Sequence, residues 1–449
     1  MLTRDDAAAL CKRVLKLCDA EGAEAIISSS ETNSTRFSNN VITQNVGLVN
    51  QRLCLRVIQG RRQGVARVNQ FDDASIKRCV QSALAVCRVS AEDEKLEPLL
   101  DKQPDYTQVD AFKEATAKST PAARAEAVGK VLREYDARKV EGAGIFDADQ
   151  GAVAYANSRG IFAYKASTKA EFSISAFLER GEIEGWAEAF GLDIGRLDVA
   201  AAARRAMDKA VTGVQPRAVD PGEYTVVLEA PAVAELLLFY GWLAGNGLAF
   251  AENRTFHKGT LRQKLSDKLT LTEDPYHPEL GGTPFDMEGF ATQKVTLMDR
   301  GVGSAVVHDR RRAKLGGQKN TGHANMQPDA QGPGPGNLVL STGDQTLEQM
   351  VSSTPKGLLI TKFHYCNVVD RMDLSLTGMT RSGTFMIENG KLAYPVKNMR
   401  FTQSLLTALA DVAAVGKEAH ATGGALFGGN FVVPALKLNK FRFSSPTGF

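Results

Sequence analysis

The sequence predicts an α+β protein: a duplicated α-β-β-β-α N-terminal domain followed by a β-sheet-rich C-terminal domain with long loops. Three observations lead there. A helix, three strands and a second helix occur in that order twice within the first 212 residues. A Pro-containing stretch without periodicity, TGVQPRAVDP (212–221), then separates two regions of different character. Beyond it, short strands alternate with long glycine-rich stretches such as GGTPFDMEG, DRGVGSAVVHDRRRAKLGGQKNTGH and QGPGPGN. The domains therefore read as 1–215, with similar halves at about 1–90 and 120–212, and 223–449.

In order, Ala7 to Cys18 has the spacing of a helix, with Leu10, Val14 and Leu17 on one face. AEAIISSSE (23–31) alternates like a strand, SNNVITQNV gives a turn and a strand, and QRLCLRVIQGRRQGVARV reads as strand, glycine turn and strand. Ser75 to Arg88 is the second helix, capped at Asp73 or nearby. AEDEKLEPLLDKQPDYTQ (91–108) is a polar linker. The pattern then returns. PAARAEAVGKVLREYDAR is a helix with Pro in its first turn, VEGAGIFDADQ and GAVAYANSRG give strand and turn, KAEFSISAFLERGEIEGWAEAF is strand, turn and strand, and Asp198 to Val211 is an Ala-rich helix. Asn40 pairs with Asn157, Gly60 with Gly181 and Gly64 with Gly185 as landmarks of the duplication. After the link, YTVVLEA is a short buried strand and PAVAELLLFYGWLAG an almost wholly apolar helix. QKVTLM and FHYCNVV are strands, and FMIE and LAYPV flank an Asn-Gly turn.

Composition narrows the function. Of 449 residues, 43% are hydrophobic and 23% charged, as in globular proteins. Lys and Arg number 54 against 51 Asp and Glu, and this balance argues against a nucleic-acid or membrane surface. The N-terminal segment has neither a signal-peptide apolar region nor a span. Six scattered cysteines without a C-x-x-C pair read as reduced thiols of a cytoplasmic protein. Only six histidines (257, 277, 308, 323, 364 and 420) are available for histidine chemistry.

The candidate sites weigh differently. HDRRRAKLGG (308–317) is a basic run that could meet phosphate, but its Asp309 and lack of aromatics favour a solvated loop or a carboxylate partner. His364 and Cys366 lie two apart on a predicted strand, hence on one face, and with His308 or His323 could bind zinc; a packed Cys and a half-buried His is the simpler reading. Thr380, Arg381 and Ser382 are placed in a loop before the hairpin, free to touch a peptide or a neighbour. No G-x-S-x-G, P-loop or dinucleotide motif is present.

FSNNVITQNV, VVLEAPAVAELLLFYG, FDMEGFATQKVTLMDRGV and IENGKLAYPVKNMRFT together resemble the TldD/PmbA family, from about residue 23 to 443. The resemblance implies a cytoplasmic protein with a mixed α/β N-terminal domain and a C-terminal domain built on a β-sheet. In that family, TldD and PmbA (also called TldE) work together as a heterodimeric zinc peptidase acting on unfolded or modified peptides, with the metal in the TldD subunit. The catalytic type carries His-Glu, three residues and a second His on the helix after the VVL strand, and a late Cys. Counted from Val226-Val227-Leu228, those positions are Leu238, Phe239 and Leu243, and the Cys falls near Val415. All are hydrocarbon, so the resemblance implies the PmbA-type subunit: no zinc held by this chain, zinc in a TldD-type partner, and no peptidase activity alone. The expected partners are a TldD-type subunit or a second copy, and a peptide. Arg310, Arg311, His323, His364, Thr380 and Arg381 are the expected contacts. Two alternatives stay open: an independent hydrolase with a metal at His323, His364 and Cys366, and a binding or regulatory protein. The latter accords with the family's association with DNA gyrase modulation and would rest on Arg310 to Arg312.

Overall fold

A computed structural model describes residues 1–103, 105–178, 183–211, 215–257, 259–261, 264–423 and 429–447. The N-terminal part comprises α1 (Arg4–Lys16), β1 (Gly22–Ser38), β2 (Val41–Gln59), β3 (Arg62–Val68), α2 (Asp73–Val89), the single turn α3 (Glu114–Ala117), α4 (Pro121–Ala137), β4 (Glu141–Asn157), β5 (Phe162–Leu178), β6 (Ile183–Gly191) and α5 (Val199–Ala210). Its strands form one antiparallel sheet in the order β3-β2-β1-β4-β5-β6. Two copies of a three-stranded meander thus meet at their first strands, with Glu24 opposite Asn157 and Phe37 opposite Gly144.

The paired landmarks have matching physical roles. A Cβ on Gly64 would lie 2.1 Å from the Ala83 carbonyl oxygen of α2, and one on Gly185 would lie 2.1 Å from the Ala206 carbonyl oxygen of α5. Each glycine therefore lets a helix backbone settle directly on its sheet. Asn40, at φ 58°, makes the β1–β2 turn and fastens it to the start of β4, accepting from the Gly142 N–H at 2.6 Å. In the other half the Asn157 side chain holds the β4–β5 turn through the N–H groups of Arg159 and Ile161, and the adjoining Ser158 Oγ accepts from Ala23 at the start of β1. Gly181 lies outside the described residues.

Some boundaries differ from those read in the sequence. The two strands expected across residues 41–59 are one strand, because its whole length pairs with β1. Polar Thr43, Gln44 and Asn45 hid this continuity: the outer half of β2 is exposed and gives no hydrophobic alternation. The α2 cap agrees with the expectation of Asp73 or nearby: it is Asp72, whose carboxylate accepts from the Ser75 N–H at 2.9 Å.

The C-terminal part comprises β7 (Gly222–Leu228), α6 (Ala230–Ala244), α7 (Gly247–Ala251), β8 (Leu271–Glu273), β9 (Val295–Asp299), β10 (Val302–Gly303), α8 (Arg310–Leu315), β11 (Asn337–Leu340), α9 (Leu347–Ser352), β12 (Lys356–Asp370), β13 (Ser375–Glu388), β14 (Lys391–Pro395), β15 (Met399–Ser404), α10 (Leu405–Ala410), β16 (Val412–Thr422) and β17 (Asn430–Pro446). The pairings β7–β12, β12–β13, β13–β15, β15–β17 and β17–β7 close into a ring. Phe363, Phe401 and Phe441 pack within that ring, with centroids 4.9–5.5 Å apart. The expected Asn-Gly hairpin joins β13 to β14, with Asn389 and Gly390 at φ 51° and 74°.

Two local expectations are corrected. Arg310 to Leu315 is a short helix rather than a solvated loop, because Asp309 caps it, accepting from the Arg312 N–H at 2.7 Å. Thr380, Arg381 and Ser382 lie inside β13 rather than before the hairpin. A bulge with Ser382 at φ 56° and Gly383 at φ 129° supplied the turn-like sequence that suggested a loop.

The two parts are joined by buried polar contacts and by a hydrophobic cluster in which Phe285 packs with Ile26, Tyr155 and Ile161. FDMEG (285–289) forms a turn whose Asp286 carboxylate accepts N–H bonds from Glu288, Phe290 and Ala324 at 2.9–3.0 Å. Gly289, at φ 78°, is pressed against Tyr155, where a Cβ would stand 2.4 Å from the ring. Tyr155 donates to Glu24 at 2.8 Å, and Glu24 is paired with Arg56 at 2.5 Å; all three are buried. The segment read as a linker is pinned here too. Asp93 and Glu97 pair with Arg311 and Lys314 at 2.7 and 2.9 Å, and Tyr106 donates to the Gly289 carbonyl.

Candidate functional site

α6 is apolar on nearly every side because every side is covered: only Trp242 is substantially exposed, and Leu238 is partly buried. The helix starts at the end of β7, where Glu229 donates its N–H to the Ile360 carbonyl of β12 and its side chain pairs with Lys209 of α5 at 2.7 Å. Phe239, Leu243 and Val415 lie in one hydrophobic core, and Leu238 packs against it. The fold thus draws the helix positions and the β16 position into the same core. The one carboxylate within the helix, Glu235, is buried and faces the Cys366 thiol. Burial pushes that thiol well above its ordinary pKa, and Glu235 pushes it further in the same direction.

Cys366 is therefore not on the face that His364 shares. The backbone bulges at Tyr365, φ 57°, and breaks the two-residue alternation. Cys366 turns into the core, while His364 remains half-buried near Arg381, Lys362 and Glu184, where burial first and the two cations next lower its pKa. His323 is elsewhere, its Nε2 3.6 Å from Glu273 and its Nδ1 3.0 Å from Thr321 Oγ1. Among the described residues, no group of three or more His, Cys, Asp or Glu side chains is placed to hold a metal ion, so His323, His364 and Cys366 are not brought together.

The remaining expected contacts divide in two. Arg310 donates to the Pro98 carbonyl, Arg311 pairs with Asp93, and Arg312 pairs with Asp309 while donating to Asp329, so the basic run is spent within the chain. Thr380 is buried and accepts from the Met399 N–H at 3.0 Å. Arg381 and His364, by contrast, border a polar seam where β6 meets the C-terminal sheet. Glu184 accepts from Ser382 at 2.6 Å and from Ser175 at 3.1 Å. Glu188 accepts from Thr422, and burial pushes its carboxyl up to about 7. The Lys362 ammonium lies 4.1 Å from the Trp186 ring centroid, where burial lowers its pKa against the pull of Glu184 and Glu188. Nearby, Lys209 donates to the Trp186 carbonyl at 3.2 Å while pairing with Glu229, the residue that opens α6.

The sequence reading missed Glu184, Trp186, Glu188 and Lys362. Their signal was present: Glu184, Trp186 and Glu188 alternate along GEIEGWAEAF, which places all three on one face of a strand. The seam brings both signs of charge together with an aromatic ring.

Fold and site together define an α+β protein in which Phe239, Leu243 and Val415 are core residues and Leu238 packs against them. The comparisons place it further. Its residues 221–445 match the PmbA/TldA metallopeptidase C-terminal domain, 23–87 the PmbA/TldA metallopeptidase domain 1, and 112–214 the central domain. The chain belongs to the PmbA/TldD metallopeptidase family. Metalloprotease PmbA of Escherichia coli O157:H7 is 26% identical over 447 residues, covering 93% of this chain and 92% of that protein. A metalloprotease TldD homolog of Haemophilus influenzae is 22% identical over 420 residues, covering 89% and 86%. The crystal structure of TldE from Thermococcus kodakarensis matches with a TM-score of 0.85 at 20% identity, covering 97% of this chain and 99% of that one, which establishes the fold. Among the described residues, no helix is long and apolar enough to cross a membrane.

Proposed function

We propose that this chain is the non-catalytic subunit of a TldD/TldE-type zinc metallopeptidase of the cytoplasm, acting with a TldD-type partner on unfolded or modified peptides. The observation that carries this reading is the donor chemistry at Leu238, Phe239, Leu243 and Val415. A catalytic zinc site needs imidazole or thiolate ligands, a carboxylate base and an open position. Four hydrocarbon side chains in or against one core supply none of these, so the residues present do not fit the metal. The polar seam of Glu184, Glu188, Lys362, His364 and Arg381 supports a role in holding peptide, since it stands at the opening of the same helix.

The test is co-expression with a TldD-type subunit, scoring copurification and hydrolysis of an unfolded casein-like substrate. The expected result is no hydrolysis by this chain alone in zinc-replete buffer, and hydrolysis by the copurified pair. Hydrolysis by the purified chain alone would overturn the reading. The gyrase-related alternative finds no support at Arg310 to Arg312, whose guanidinium groups are engaged within the chain.

A further inference from the structure

Arg124 carries a buried charge that the chain does not answer. It is 1% exposed, deeper than Arg56, the other buried arginine among the described residues. Arg56 has the Glu24 carboxylate at 2.5 Å. The partners of Arg124 are all neutral: its Nε donates to Thr35 Oγ1 at 3.2 Å, and its Nη1 donates to the Ser119 carbonyl at 3.1 Å and to Ser119 Oγ at 3.4 Å. Its Nη2 makes no hydrogen bond among the described residues. Asp147 and Asp149 act on it only through the sheet. Phe146 points into the core beneath α4 and α5, so these two acids point out of the opposite face. Burial lowers the Arg124 pKa against their pull.

Position adds to the cost. Arg124 stands in the first turns of α4, the positive end of a 17-residue helix. An unpaired cation is costly to bury anywhere, and more so there. Arg124 also lines a pocket of about 620 Å³, onto which the N-terminus of α5 opens at Asp198 and Val199. Thr120 and Asp198, the two caps, are engaged with the Ala123 and Ala201 N–H groups of their own helices. Lys118, also at the pocket, is paired with Glu114. The remaining wall is apolar, with Ala127, Phe146, Ile194 and Leu197.

We infer that this pocket is a binding site for a small organic anion, whose carboxylate sits on Arg124 and whose apolar body lies against Phe146, Ile194 and Leu197. The carboxylate supplies the missing counter-charge and accepts from Nη2, and the helix N-terminus favours the same sign. A bare inorganic anion would leave the apolar wall unused, and the volume falls in the ordinary range of small-molecule sites. Two sources share this chemistry: a fatty acyl carboxylate and the C-terminal carboxylate of a short hydrophobic peptide. The inference is independent of the subunit reading, because it concerns the chain on its own.

The experiment is titration calorimetry of the full-length chain with five probes: octanoate, octanol, inorganic phosphate, N-acetyl-leucyl-leucine and the amide of that dipeptide. The expected result is one-to-one binding of at least one of the two carboxylates, the tighter one identifying the source. Octanol, the amide and phosphate should bind at least about tenfold more weakly, and Arg124→Gln should weaken the carboxylate by at least about tenfold. Circular dichroism verifies the fold of each variant. Ala123→Phe places a ring at the pocket from an exposed helix position and should abolish binding, whereas Ala122→Phe, exposed and outside the pocket, should retain it. These two variants decide the matter if Arg124→Gln does not fold. The inference is overturned if neither carboxylate binds, if octanol or the amide matches its acid, or if folded Arg124→Gln or Ala123→Phe binds undiminished. Phosphate binding as tight as octanoate would overturn the apolar half of the assignment.

Discussion

Glu288→Gln isolates one group at the interface between the two parts of the chain. Glu288 is 5% exposed, and one of its carboxylate oxygens is buried without a hydrogen-bond partner. Burial foremost, and then Asp286, push its carboxyl from the ordinary value of 4.5 up to about 8, against the pull of Arg310 and Arg56. The folded protein therefore keeps a proton that the unfolded chain releases between these values. Across that window the unfolded state binds fewer protons, so stability falls as pH rises, and the full penalty is in place above about pH 8. At about 1.4 kcal/mol per pH unit, the 3.5 units between 4.5 and 8 set a ceiling of about 5 kcal/mol. Gln copies the shape of the protonated acid and does not titrate. The variant should match the natural chain at the acid end of the window and exceed it by about 2–5 kcal/mol at the alkaline end. Urea unfolding of both proteins at a series of pH values measures the difference directly. Stability curves that run parallel, or a variant less stable at alkaline pH, would refute the assignment of this proton to Glu288.

Three further outcomes follow from packing. Gly64→Ala and Gly185→Ala should each cost several kcal/mol in chemical unfolding, because each Cβ would meet a helix carbonyl at 2.1 Å, whereas Gly60→Ala, at φ 57° with open space around it, should cost about 1 kcal/mol. Arg56→Ala should lose about 3–5 kcal/mol by leaving Glu24 buried without its cation, and the double variant with Glu24→Gln should recover part of that loss. Phe239→Ala should cost about 3–5 kcal/mol and Phe239→Leu far less, while Phe239→Glu should give little soluble protein; an unperturbed melting temperature for Phe239→Glu would contradict the core reading of α6.

The periodic parts of the fold were legible in the sequence. The order of helices and strands, the Gly64–Gly185 equivalence and the apolar helix each rest on a local pattern that tertiary packing preserved. What escaped was set by contacts distant in sequence. The continuity of β2 depends on pairing with β1 rather than on its own alternation. The burial of Thr380 depends on Met399, and the division of His364 from Cys366 depends on a bulge at Tyr365 that no propensity announces. The helix at Arg310 was hidden by its charge, which suggests solvent until its partners on residues 93–98 are seen. The polar seam was half visible. Arg381 and His364 were noticed for their chemistry, but Glu184, Trp186 and Glu188 sit on a strand of the other domain, and only docking brings the two sets together.

That docking gives each residue of FDMEG a positional role. Its aspartate ties up three backbone N–H groups, its glycine admits Tyr155, and its glutamate enters a buried set that already contains Glu24 and Arg56. Each residue has a positional reason, and the common consequence is a fixed angle between the N-terminal sheet and the C-terminal ring. The polar seam depends on the same docking, since β6 supplies Glu184, Trp186 and Glu188 while β12 and β13 supply Lys362, His364 and Arg381. The seam keeps its arrangement only while the placement of β6 against the C-terminal sheet is fixed, as the contacts of Glu184 with Ser382 and of Glu188 with Thr422 show.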